Sequence, residues 1–242
     1  MEQRSATPQA TVVAVHGWGY SEEDDRPSLI LSNRVMEPAS TTMLGDVGWV
    51  NDVEVVHVTS NHKGQALLHF EGDSSQFKVG QHVSFRLNQG IRSRQSGLLA
   101  AGRLIEVLGP TVFDGLRHVN SDFRPNRAKV EFGAPHYFPD SEWLATKFKD
   151  KIAAALTADL SFRSTRFGKA FKVKIGDFPK FVWRSNRYPQ SLGQIGQVHL
   201  TNVVRVGGRI QVRFRVCDRQ QLEQQLHRDG KGDAALWVSR NS

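Results

Sequence analysis

The run GRIQVRFRV, residues 208–216, constrains the fold of this chain more than any other stretch. Ile210, Val212, Phe214 and Val216 alternate with Arg209, Gln211, Arg213 and Arg215. A period of two is the spacing at which side chains leave opposite faces of a β-strand. One face must therefore be buried, and the other carries a row of cations. KAFKVKI, residues 169–175, repeats the pattern, with Phe171, Val173 and Ile175 alternating with Lys172 and Lys174. The expected product is a sheet with an apolar inner face and a basic outer one.

The charge around these runs is lopsided. Between Ser161 and Cys217 there are twelve basic residues and a single acid, Asp177, an excess of eleven where the whole chain carries only +8. Ordinary solvated faces mix both signs, and this one scarcely does. Such a field favours polyanions, because each neutralised phosphate releases condensed counterions. Aromatic residues are interleaved: Phe162, Phe167, Phe171, Phe178, Phe181, Trp183 and Tyr188. RSTRFGK, residues 163–169, adds Arg166 and Lys169 around Gly168 as a phosphate clasp. The candidate nucleic-acid contacts here are Arg163, Arg166, Lys169, Lys172, Lys174, Arg184, Arg187, Arg209, Arg213 and Arg215. Membrane-surface binding is the lesser option, since the patch holds no helix with a strong apolar face.

The rest of the chain reads as short strands. TVVAV and SLILSNRV open it, separated by the acidic loop SEEDDRP. From Gly45 to Leu108 come VGWV, VEVVHV, ALLHF, HVSFRL and AGRLIEV, punctuated by Gly, Asn, Asp and Ser. Residues 109–139 are irregular apart from AKVEF. One long helix is predicted at DSEWLATKFKDKIAAALTADL, capped by Asp140 or Ser141, with Leu144, Phe148, Ile152 and Leu156 on one face. KFVWR, QVHLTNVVRV and a short helix at RQQLEQQLHRD follow. The fold class is mainly β with one long helix, an α+β protein. It divides into an N-terminal β-segment (1–44), a small barrel (45–108), a connector and helix (109–160) and a basic β-module (161–242).

Residues 45–107 resemble a cold-shock domain, a five-stranded OB-type barrel that binds single-stranded RNA or DNA. GDVGWVN, Gly45 to Asn51, matches the family's opening Gly-x-Val-x-Trp-Phe-Asn, and VEVVHV stands at its first RNA-binding strand. ALLHF, Ala66 to Phe70, matches the second, GQHVSF matches Gly-Gln-x-Val-x-Phe, and AAGRLIEV stands at the closing Ala-Ala and last strand. The resemblance implies a platform of rings that stack on unpaired bases, worth about 1–3 kcal/mol each. Trp49, His57 and His69 are the platform candidates, with Phe70, Val83 and Phe85 as core. Val55, His57 and Leu67 stand where the family carries phenylalanines, so stacking here would be weaker than in the family.

Other chemistries find no support. TVVAVHGWGY, residues 11–20, looks like the oxyanion strand of an α/β-hydrolase, but no Gly-x-Ser-x-Gly elbow exists to serve it. The one cysteine, Cys217, permits neither an internal disulfide nor a cysteine zinc site. His57, His62 and His69 lack metal-ligand spacing, and no Gly-x-x-x-x-Gly-Lys-[Ser/Thr] loop occurs. No run approaches the ~18–20 apolar residues of a membrane span. The expectation is a cytoplasmic protein in a reducing compartment, without cofactor, metal or membrane association. Its expected partner is single-stranded or structured nucleic acid, RNA ahead of DNA. The rival readings are an adaptor among other subunits of a nucleoprotein complex and a nuclease subunit with an unrecognised site.

Overall fold

β-branched and aromatic runs too short to stand alone gain stability by pairing, and Gly, Asn and Asp between them permit tight reversals. In the computed structural model these runs pair as antiparallel sheets, giving a mainly β, α+β protein. The structure describes residues 8–21, 24–133, 139–157, 162–164, 170–173, 181–184, 197–217 and 237–239. The chain divides into two units, Met1–Arg92 and Ser93–Ser242. Among the described residues, no helix is long and apolar enough to cross a membrane.

The first unit contains β1 (Gln9–His16), β2 (Ser28–Leu31), β3 (Gly48–Val50), β4 (Val53–Val55), β5 (His57–Ser60), β6 (Ala66–His69) and β7 (His82–Leu87). They form one sheet in the order β4-β3-β7-β1-β2-β6-β5. Only Val56 separates the two edge strands, and its amide donates to the His69 carbonyl at 3.0 Å. The two edges are thus one stretch of chain, and the sheet closes on itself as a barrel. Inward-facing positions change parity at the joint, from Val53 and Val55 before it to Val58 after it. The interior is filled by Val12, Leu29, Leu31, Met36, Val50, Val55, Val58, Leu68, Phe70 and Val83. Each such side chain contributes about 1.5–3 kcal/mol on burial. Gly48 is required by packing, because a Cβ there would run into the Arg86 carbonyl on β7 and the Met36 methyl. Residues 8–44 do not stand apart as a segment: β1 and β2 lie in the middle of the sheet, and the unit ends at Arg92.

AGRLIEV is not a strand. It lies inside α1 (Gln89–Val112), whose first turn is capped by Asn88, its Oδ1 accepting from the Ile91 amide at 3.1 Å. Where a strand was expected, the helix prevails because its glycines admit aromatic rings. A Cβ at Gly102 would overlap the Phe123 ring, and one at Gly109 the Phe132 ring, two turns along the same face. Leu98, Leu99, Leu104, Ile105 and Leu108 are buried as well. From Gly97 to Gly109 every residue except Arg103 is buried, so this stretch of the helix lies in a core.

The second unit continues with β8 (Arg117–Asp122), β9 (Lys129–Gly133) and α2 (Ser141–Thr157). The expected long helix is therefore the second of two among the described residues. Asp140 caps α2, its carboxylate accepting from the Glu142 and Trp143 amides at 3.2 and 3.3 Å. Leu144, Phe148, Ile152 and Leu156 are all buried, and Phe148 stacks on Phe132 of β9 at 5.9 Å. Next come β10 (Phe162–Ser164), β11 (Ala170–Val173), β12 (Phe181–Arg184), β13 (Gln197–Val206), β14 (Arg209–Cys217) and β15 (Trp237–Ser239). β10 to β12 make a three-stranded sheet, and a five-stranded one runs β15-β13-β14-β9-β8. β8 and β9, from the expected connector, therefore share a sheet with the basic strands. The helix expected at 219–229 lies outside the described residues.

Candidate nucleic-acid interface

The alternation in β14 has the predicted result. Ile210, Val212 and Phe214 are buried, while Arg209, Arg213 and Arg215 are exposed. Register then decides their company. Arg213 lies opposite Lys129 of β9, and Lys129 lies opposite Asp122 of β8. Gln211 lies opposite Glu131, and Arg209 opposite Gly133. Cross-strand partners share a face, so five basic or polar positions from two strands meet there with two acids.

Both acids are taken up locally. Asp122 accepts from the Arg124 amide at 3.0 Å, from Arg124 Nε at 2.8 Å and Nη2 at 2.6 Å, and from Arg127 Nε at 3.0 Å. Burial pushes its carboxyl up, but the Arg124 and Arg127 bonds outweigh that and hold it below the usual range. Glu131 accepts from Lys129 Nζ at 2.7 Å and Gln211 Nε2 at 2.9 Å, with Arg209 Nη1 at 3.6 Å. The Lys129 bond is the main reason its carboxyl is also held low. Six cations (Arg124, Arg127, Lys129, Arg209, Arg213 and Arg215) thus face two acids, leaving a net +4. Arg213 and Arg215 have no acidic partner among the described residues.

Four of these cations, Arg127, Lys129, Arg213 and Arg215, line a cavity of about 570 Å³ together with Asp122 and Thr201. Its wall includes a break in register between Leu200 and Asn202 of β13, which leaves Thr201 unpaired at the rim. Bulges of this kind re-aim side chains beside binding sites. Arginine forks match phosphate oxygens with paired, charge-assisted hydrogen bonds. A concave site with surplus guanidinium groups can accept anionic oxygens.

The other sequence-predicted residues fall elsewhere. β10–β11 register sets Arg163 opposite Lys172, and β11–β12 register sets Ala170 opposite Arg184. Positions 163, 172 and 184 therefore share one face of the three-stranded sheet. Arg166, Lys169, Lys174 and Arg187 lie outside the described residues. Trp49, on the barrel, is half-buried beneath the Arg86 guanidinium, 4.1 Å from its ring centroid.

The two histidines do not make an open platform. His69 has 0% exposure; its Nε2 lies 2.8 Å from Thr59 Oγ1 and its Nδ1 3.3 Å from the Arg26 carbonyl. Burial pushes its imidazole below its ordinary value, and no face remains for a base. His57 is held through Nδ1 to Asp24 Oδ2 at 2.7 Å. Both rings belong instead to a polar cluster with Asp24 and Arg26. Side chains that sequence reasoning missed are Arg124, Arg127 and Lys129. The run FRPNRAK, residues 123–129, carries three cations in seven positions and was the available signal.

Among the described residues, no group of three or more His, Cys, Asp or Glu side chains could hold a metal ion. A scan against protein-family models finds none that matches this chain, and a search of curated proteins finds no match.

Proposed function

We propose that this chain binds nucleic acid, single-stranded or structured and RNA ahead of DNA, by holding phosphates on the basic face of β9 and β14. The observation that carries the reading is the imbalance on that face: six cations against two acids, with Arg213 and Arg215 opening onto the cavity without an acidic partner among the described residues. Contacts of this kind supply affinity and register, while base edges supply sequence preference. Further support comes from the sequence, where basic residues exceed acids by eleven between Ser161 and Cys217.

The test is an anisotropy titration of the full chain on matched single- and double-stranded RNA and DNA across a range of salt. Arg213→Glu with Arg215→Glu should weaken binding to all of them. It should also flatten the slope of log K against log salt by about 0.7 to 0.9 for each phosphate no longer neutralised. Unchanged affinity and slope in a folded double variant would remove this face from the function.

A further inference from the structure

The loop between β1 and β2 exposes rings that the nucleic-acid reading does not use. Trp18 is 63% exposed and Tyr20 49%, in the run His16-Gly17-Trp18-Gly19-Tyr20. The His16 ring stacks on Tyr20 with centroids 3.5 Å apart and planes within 5°. Gly19 adopts φ 75° to make the turn, and its amide donates to the Asp25 carbonyl at 2.6 Å. Ser74 Oγ donates to the His16 carbonyl at 3.1 Å, tying in the loop that follows β6. The His16–Tyr20 stack and the backbone that carries Trp18 are thus held in place before anything binds, which lowers the ordering cost of association.

The charge around them is the reverse of the β14 face. Among the described residues of these two loops, four acids, Asp24, Asp25, Glu71 and Asp73, stand against two cations, Lys78 and Arg26, and Arg26 pairs with Asp24 and Glu71. The first unit as a whole has seven basic and eleven acidic residues. A phosphate backbone is repelled by such a rim, and a cation is drawn to it. Tryptophan and tyrosine faces also attract ammonium and guanidinium groups. Burial holds the His16 imidazole below its ordinary value, so near neutral pH the stack adds no opposing charge.

We propose that the His16–Tyr20 loop is a docking site for a Lys/Arg-rich segment of a partner protein, with a cationic side chain on Trp18 and the acids of the two loops as its rim. The site lies on the barrel and does not depend on the nucleic-acid reading.

The test uses the full chain and two fluorescein-labelled decapeptides, one of alternating Arg and Gly and one with Glu replacing Arg. The basic peptide should bind and the acidic one should not. Trp18→Ala should weaken the basic peptide about fivefold, the loss expected for an exposed cation–ring interaction. Asp25→Asn with Asp73→Asn should weaken it and flatten its salt dependence. Both variants alter exposed side chains, and unchanged thermal midpoints confirm that they fold. Absence of binding overturns the proposal. So does binding that Trp18→Ala leaves intact, which would reduce the site to diffuse charge. Loss of single-stranded RNA binding in Trp18→Ala would make the loop a base platform, and loss of a self-associated species in sedimentation would make its occupant a second copy. Either result also overturns it.

Discussion

Glu131→Gln should tighten nucleic-acid binding while lowering stability. The Glu131 side chain is 7% exposed and draws Lys129, Gln211 and Arg209 to within 2.7, 2.9 and 3.6 Å. It neutralises part of the face that phosphates would use. Glutamine keeps the shape and removes the charge, raising the face from +4 to +5 over the same six cations. If one freed cation meets one further phosphate, the salt slope steepens by about 0.7 to 0.9. Diluting salt from about 200 to 50 mM would then give roughly a threefold larger gain in affinity than in the parent. The fold should lose about 1–3 kcal/mol, the range for bonds to a charged group left imperfectly paired. At this chain length that lowers the thermal midpoint by roughly 2–4 °C per kcal/mol. Anisotropy titrations at several salt concentrations, with calorimetric melting of the same samples, read both effects. Partial unfolding cannot mimic the result, because it would weaken binding. Gln211→Glu, which adds an acid to the same row, should weaken binding and flatten the slope. An unchanged or shallower slope in a folded Glu131→Gln chain refutes the assignment of this face.

Two further outcomes test the fold. Gly102→Ala should destabilise by about 1–3 kcal/mol, because overpacking against the buried Phe123 ring exceeds the helix-propensity gain. Gly90→Ala, whose Cβ would meet only Asn88 Oδ1 at 3.6 Å, should be neutral or stabilising; equal effects in urea unfolding would refute the packing account. Acid should weaken the barrel in two stages. Burial lowers His69 from its ordinary 6.5, and Arg26 lowers Asp24 from 3.8 against the opposing effect of burial. Each group binds fewer protons folded than unfolded, so stability falls with pH, first below about 6.5 and again below about 3.8. His69→Asn should lose part of the drop in thermal midpoint between pH 7.5 and 5.5, and an identical drop in both chains would refute the assignment.

What could be read from sequence was whatever is local. Alternation in β14 and the four-residue recurrence in α2 each report a buried face within one element, and both appear as expected. α1 was hidden because Gly97, Gly109 and Pro110 read as loop punctuation and AGRLIEV between them read as a strand. Gly102 and Gly109 make room for Phe123 and Phe132, partners distant in sequence. β8 was hidden because an edge strand exposed at Arg117, His118, Val119 and Asn120 needs no alternation. The candidate site was half legible for the same reason. Arg213 and Arg215 announce themselves, whereas Lys129, Glu131 and Asp122 join them only through register across three strands. His69 misled because strand parity names a face without saying whether another loop covers it.

The two units contain the same four-residue device with opposite electrical outcomes. Asp24-x-Arg26-Pro27 and Asp122-x-Arg124-Pro125 share one geometry. In each, Oδ1 accepts from the arginine amide at 3.1 or 3.0 Å and from Nε at 2.8 Å, and Oδ2 accepts from Nη2 at 2.6 Å. Proline biases the arginine before it toward extended backbone, which helps to hold that fork in place. The difference lies in the third charged partner. Arg26 turns its remaining nitrogen to Glu71 at 3.0 Å, so one cation serves two acids. Asp122 takes Arg127 at 3.0 Å, so one acid serves two cations. The first turn is left with surplus negative charge beside exposed Trp18 and Tyr20, the second with surplus positive charge beside Arg213 and Arg215. A motif read by its four residues alone would predict the same role twice. The sign of the leftover charge, set by a residue two or more positions outside the motif, is what separates a surface suited to a basic peptide from one suited to a phosphate chain.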